Sequence, residues 1–336
     1  MALDSELYLK SVLPGCEQGL APEDLSGLYA YVLEAGLAKV QPVQARLNQR
    51  SESLLGKSLP RKPQAVLVDI YGTLLATGLG EVGSTEEAIP STLESVSTSR
   101  NPVANYTPPV VYTFPDDFIQ HLHALIAEDH ARAKAAGIPW PEVDAISVFM
   151  RVLGLELPAA ARACVAWECL ANPCAPMPGA ADFLALCRQL GLSLGIVSNA
   201  QFYTPLFVQA AFGLDTLALG LEPELSFWSY RTGRAKPDRF MYDQAAKVLA
   251  ERNIPVADAL YVGNDALNDC AAAGEAGFMT ALFAGDARSF RPREDSPRVA
   301  ACPPDTVVSG WDMLAALVAS SATKARNGTQ RSTPCI

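Results

Sequence analysis

The chain has 336 residues, 49% of them hydrophobic and 18% charged, which is enough apolar material for a large core and more than one structural unit. A net charge of -10 argues against nucleic acid or an anionic membrane surface as partner, because either needs a basic footprint. No stretch of about 18 apolar residues offers a membrane span, and the N-terminus MALDSELYLK lacks a basic then apolar signal, so the expected location is cytoplasmic.

Residues 1–62 precede the first core strand and are expected to form a helical N-terminal extension. Leu25, Leu28, Val32 and Leu33 recur at helical spacing after Pro22, Glu23 and Asp24. Such a helix can pack on the core, shield a site or form an oligomer interface, and packing is the commonest fate. At 65–74 the run AVLVDIYGTL predicts a buried strand ending on Asp69, followed by a Gly-Thr-Leu turn. In an open α/β sheet ligands bind outside the carboxyl ends of the strands, which makes Asp69 a candidate nucleophile; the competing reading is an ordinary helix-capping Asp.

The segment 76–109 is rich in Gly, Ser, Thr and Pro and predicts a mobile loop. From 115 to 172 the pattern turns helical, with Phe118, Leu122, Leu125 and Ile126 on one face and a break at Gly137, Ile138 and Pro139. The three histidines, His121, His123 and His130, all fall here. A solvated or satisfied helix histidine is the commoner reading; His130 and Arg151 are the candidates for touching substrate, since a small anion needs polar groups to orient it. Glu142 and Asp144 are expected to cap the next helix.

After Met177, Pro178 and Gly179 a helix at 180–190 feeds a second apolar strand, LSLGIVSNA, ending on Ser198 and Asn199. A hydroxyl and an amide at a strand tip can donate to an anionic oxygen without adding charge. In GRAKPDRFMY, Lys236 can neutralise a carboxylate or phosphate at the same sheet edge. A third strand, ALYVGNDALND, runs into Gly263, Asn264, Asp265 and Asp269, and such clustered oxygen ligands suit Mg2+. The alternation continues through 280–283 to a final helix over 311–318, and the tail 319–336 is expected to be disordered. The eight cysteines form no Cys-x-x-Cys pair and predict free thiols, with Cys187 and Cys270 buried.

Nucleophile, hydroxyl-amide, lysine and acidic cluster, each after its own strand and in this order, resemble the four motifs of the haloacid dehalogenase superfamily over about 65–318. The resemblance implies a Rossmann-like doubly wound parallel α/β core, at 63–75 and 176–318, with a small helical cap domain, 76–175, inserted after the first strand. By it Asp69 forms a covalent aspartyl intermediate, Ser198 and Asn199 hold the transferring group, Lys236 orients and neutralises, and Thr73 supports the turn. Asp69, Tyr71, Asn264, Asp265 and Asp269 are its candidate Mg2+ ligands, and a typical member begins near its nucleophile, which is what makes 1–62 an extension and a possible oligomer interface.

Two positions depart from the phosphatase pattern. Where those enzymes carry a second Asp, two residues after the nucleophile, this chain has Tyr71, which with an ordinary pKa near ~10 is a poor base at neutral pH. That spelling is similar to the 2-haloacid dehalogenases, whose halide leaves without a proton and which need no metal; Lys236 with Tyr242 also fits their third motif. In the fourth motif Asn264 replaces Asp. The resemblance therefore favours Mg2+-dependent hydrolysis of a small anionic phosphate ester, with metal-independent dehalogenation as the alternative and a binding or regulatory protein without turnover as the rival class.

Overall fold

The computed structural model describes residues 20–37, 40–77 and 114–328. Of the loop predicted over 76–109, Ala76 and Thr77 belong instead to a strand, Leu75–Thr77, and the rest lies outside these residues, as do 1–19 and 329–336. Among the described residues eight strands form two sheets: β1 Ala65–Val68, β2 Leu75–Thr77, β3 Cys174–Pro176, β4 Ser193–Ser198, β5 Ser226–Trp228, β6 Ala259–Gly263, β7 Met279–Phe283 and β8 Thr306–Val308.

The larger sheet has the order β5-β4-β1-β6-β7-β8, with every pairing parallel. Ala65, Val66, Leu67 and Val68 are all fully buried, which is why β1 has no polar alternation: helices cover both of its faces. Its neighbours β4 and β6 lie on opposite sides, with Val68 level with Ile196 and Val262. The tips of β4, β1 and β6 therefore share one edge, and the crevice there is where a doubly wound sheet binds ligands.

After Asp69 the chain turns sharply, and the amides of Thr73, Leu74 and Leu75 all converge on the Ile70 carbonyl. Gly72 takes a φ of +79°, and a Cβ on it would lie 2.5 Å from Ser289 Cβ and 2.8 Å from Asn264 Nδ2, so the turn admits only glycine. The chain then forms β2, which pairs antiparallel with β3: Leu75 opposite Pro176, Ala76 opposite Ala175 and Thr77 opposite Cys174. Between these two strands in the chain the described residues form three helices, Phe118–Ala135, Ala145–Leu153 and Leu157–Ala171.

The main helices are α1 Pro22–Tyr31, α2 Phe118–Ala135, α3 Ala145–Leu153, α4 Leu157–Ala171, α5 Ala180–Gln189, α6 Thr204–Phe212, α7 Phe240–Glu251 and α8 Trp311–Gly328. Phe114, Phe118, Phe149 and Trp167 interlock the inserted helices, with ring centroids from 4.6 to 5.5 Å apart. Leu25, Leu28 and Val32 of the extension are buried in the same core while Leu33 is exposed, so this part of 1–62 packs on the molecule. Further on, Leu55 bridges to Val307 of β8, and the Gly56 amide donates to the Val307 carbonyl. The last helix continues to Gly328, beyond the Val318 expected from sequence. Its Trp311 lies between Phe183 and Phe283, at 4.8 Å from each ring, and its indole N–H donates to the Thr73 carbonyl.

Candidate active site

Asp69, Ser198, Lys236 and Asp269 come together as the motifs predict. Asp69 Oδ1 accepts from Ser198 Oγ at 2.8 Å and from Lys236 Nζ at 2.7 Å. Among the described residues Asp69 Oδ2 accepts nothing, so one carboxylate oxygen is held and the other is open. The same ammonium donates to Asp269 Oδ1 at 2.6 Å. All three charged side chains are at least nine-tenths buried.

Burial alone would depress the Lys236 pKa, but Asp269 and Asp69 outweigh it and hold it raised, so the ammonium stays charged. Burial pushes the Asp269 carboxyl up while Lys236 draws it down. Space for Asp269 is made at Gly263, where a Cβ would lie 2.3 Å from the Asp269 Cγ. Tyr261 completes the network: its hydroxyl donates to the Val197 carbonyl at 2.7 Å and lies 3.2 Å from both Lys236 Nζ and Asp269 Oδ1.

Asn199 locks the second and third motifs together. Its Oδ1 accepts from the Lys236 amide at 2.7 Å, and its Nδ2 donates to the Lys236 carbonyl at 3.3 Å. Thr73 donates to Asn264 Oδ1 at 3.1 Å, and Asn264 Nδ2 donates to the Ser289 carbonyl at 2.6 Å. Thr73 and Asn264 thus brace the turn that carries Asp69.

The remaining predicted residues have other partners for their polar groups. The Tyr71 hydroxyl sits 3.2 Å from Thr204 Oγ1, and burial together with nearby Glu168 raises its pKa well above the ordinary value. Asp265 is held by Arg293, with Nη2 at 2.6 Å from Oδ2, and caps the following turn by accepting from the amides of Leu267 and Asn268. Tyr242 is buried edge-on against Tyr261, and its hydroxyl donates to the Asn268 carbonyl at 3.0 Å. Arg151 pairs with Asp129 at the surface.

Of the five residues named for Mg2+, Asp69, Asp265 and Asp269 lie close enough for both neighbours to raise the Asp269 carboxyl, and the Asp265 amide donates to Asp269 Oδ2 at 2.9 Å. Asn264 and Asp265 are committed to Thr73, Ser289 and Arg293, Tyr71 has its hydroxyl against Thr204, and the Lys236 ammonium already stands between Asp69 and Asp269. Among the described residues no three His, Cys, Asp or Glu side chains are grouped to hold a metal ion.

Beside the second motif lies a cavity of about 220 Å³, bounded by Asn199, Ala200, Gln201 and Tyr203 on the core side and by His130, Glu142, Phe149, Trp167 and Glu168 on the inserted side. Of the two cap-segment candidates, His130 reaches this cavity and Arg151 does not line it. Two acids here were not anticipated as site residues. Glu142 does not cap a helix: it accepts from Ser229 Oγ at 2.6 Å and from Gln201 Nε2 at 3.1 Å, whereas Asp144 does cap α3 through the Ile146 amide. Glu168 accepts from Asn172 Nδ2 and Tyr203 OH, both at 3.0 Å, and burial pushes its carboxyl up to about 7. The sequence around Glu168, an alanine- and cysteine-rich helix, gives no sign of a site.

No curated protein sequence matches the chain. Similar solved structures include a 2-haloacid dehalogenase from Pseudomonas syringae, 17% identical over 77% of this chain and 99% of that one, with a TM-score of 0.45. An L-2-haloacid dehalogenase from Xanthobacter autotrophicus is 22% identical over 76% and 98%, with a TM-score of 0.43. A HAD family hydrolase from Deinococcus radiodurans with bound phosphate and sodium is 19% identical over 78% and 98%, with a TM-score of 0.44. The family model for haloacid dehalogenase-like hydrolases matches residues 63–277, well over half of the chain and all of the motifs above, and the chain belongs to that family.

Proposed function

We propose that the protein hydrolyses a small organic acid bearing a leaving group that departs without a proton, a 2-halo acid in the simplest case, through a covalent ester on Asp69. The observation that carries this reading is the Lys236 ammonium, fixed 2.7 Å from Asp69 and 2.6 Å from Asp269, in a site whose Tyr71 hydroxyl is paired with Thr204 and whose Asn264 is committed to the turn. A fixed cation there supplies charge balance, and neither an acid at position 71 nor a ligating Asn264 is needed.

In the first step the open Asp69 Oδ2 attacks the carbon bearing the halogen. A C–O bond forms, the C–halogen bond breaks, and the halide leaves with the bonding pair. Ser198 and Lys236 hold the other carboxylate oxygen and so fix the direction of attack. In the second step water adds to Asp69 Cγ and the ester C–O bond breaks, releasing a 2-hydroxy acid and a proton and restoring the carboxylate. The polarised Oδ1, bonded to Ser198 and Lys236, is where negative charge develops in that step.

The test is chloride release from 2-chloropropionate, and phosphate release from p-nitrophenyl phosphate, each with Mg2+ and with EDTA. Chloride release indifferent to EDTA supports the proposal. Phosphate release that EDTA abolishes would return the protein to the phosphatase reading, with Asn264 and Asp265 rearranged around the metal. A single turnover in 18O-labelled water separates the two again: an aspartyl ester opened at Cγ leaves the label in Asp69, while a phosphoryl group attacked at phosphorus does not.

A further inference from the structure

The cavity beside Asn199 is walled by Leu122, Ile126, Val148, Phe149 and Trp167, and no lysine or arginine among the described residues lines it. Its charged or titratable edge is made of His130, Glu142 and Glu168. Burial, followed by the neighbouring Lys134, holds the His130 pKa below its ordinary value and so disfavours a positive charge on the ring. A carboxylate or phosphate pushed into this space would lose its water and find two acids in place of a counter-charge. An apolar group would gain by leaving water.

Size narrows the occupant further. At about 220 Å³ the cavity falls below the ~300–1,000 Å³ usual for drug-sized ligands and suits one ring or a branched alkyl group. Asn199 lines it, and Ser198, the residue before Asn199 at the tip of β4, donates to Asp69 at 2.8 Å, which sets the cavity beside the nucleophile.

We propose that this cavity takes the uncharged arm of the substrate, an aryl or branched alkyl group on the carbon that Asp69 attacks, and that the substrate carries no second anionic group. The proposal rests on the covalent-ester reading for the reacting end and on the cavity wall for the arm. A second anionic group would meet Glu142 and Glu168 in the cavity, and whether or not these acids hold their protons they offer it no counter-charge.

The experiment compares chloride release from 2-chloropropionate, 2-chloro-3-phenylpropionate and 2-chlorosuccinate by the full chain and by Ile126→Lys, a half-buried position in the wall. The phenyl substrate is expected to have a kcat/KM at least about tenfold above 2-chloropropionate, with 2-chlorosuccinate the poorest, because a buried ring removes far more apolar surface from water than a methyl group. Ile126→Lys should narrow the phenyl advantage and raise the succinate. Equal rates for the three, or a preference for 2-chlorosuccinate, would overturn the proposal on the wild-type series alone. If no substrate releases chloride, the reaction is wrong, and calorimetry with unreactive 3-phenylpropionate, propionate and succinate judges the cavity: tenfold tighter binding of the phenyl acid supports it, and no preference or no binding overturns it.

Discussion

Lys236 Nζ lies 2.6 Å from Asp269 Oδ1, and both side chains are closed to solvent. The pair is therefore a structural joint between the third and fourth motifs as well as part of the site. Removing one member leaves a charge buried without its partner, the costly way to break such a pair. Asp269→Ala is expected to lose about 3–5 kcal/mol of stability by urea denaturation and most of its turnover. A variant as stable as the wild type would show that Asp69 alone satisfies the ammonium.

Asp69→Asn should abolish turnover while leaving a folded protein, because the amide keeps an oxygen for Ser198 and Lys236 but lacks a nucleophilic one. Circular dichroism and the chloride assay check the two halves of this expectation. Unchanged turnover would remove Asp69 from the reaction altogether.

Tyr71→Phe deletes only a hydroxyl that faces Thr204. Turnover within about threefold of wild type is expected, with about 1 kcal/mol of stability lost with the hydrogen bond. A general acid at this position would instead cost about a hundredfold or more, so the size of the effect decides whether Tyr71 takes part.

Glu168 links stability to pH. Burial pushes its carboxyl from 4.5 up to about 7 in the fold, so between these values the native state holds a proton that the unfolded chain has released. The associated stability is fully present below pH ~4.5 and is lost as pH rises through 7, by on the order of 3 kcal/mol. Glu168→Gln should flatten the fall in urea midpoint between pH 5 and pH 8 relative to wild type. Parallel profiles for the two proteins would show that Glu168 is ionised throughout.

Glu142 and Asp144 stand two residues apart and do different work. Glu142 ties the α2–α3 connection to Ser229 and Gln201, beside the strands that carry Ser198 and the approach to Lys236. Glu142→Ala is expected to lower kcat/KM by about tenfold or more as those loops lose their common anchor. Asp144→Ala removes only a helix cap and should cost about 1 kcal/mol of stability with kcat/KM unchanged. Equal kinetic effects in the two variants would count against an anchoring role for Glu142.

Asp69 and Ser198 were legible because each ends an apolar run, and a buried parallel strand announces both itself and its tip, whereas Lys236 and Asp269 stand beyond their strands and were read from the order of the motifs. What the sequence could not show is where the side chains beyond those tips find partners. Asn264 is met by Ser289 and Asp265 by Arg293, from loops 25 and 28 residues further along, and no local pattern encodes those meetings. Tyr261 is hidden for another reason: inside an apolar strand a tyrosine passes for core, and only the fold turns its hydroxyl toward Lys236 and Asp269. Glu168 is likewise one acid in a helix of small residues until α6 brings Tyr203 against it.

The inserted helices leave and rejoin the main sheet through β2 and β3, whose residues Leu75 to Thr77 and Pro176 to Cys174 face one another on a single ladder. The chain thus enters and leaves the insertion at one place, so helices of another length spliced between Thr77 and Cys174 would leave the register of the six strands beneath unchanged.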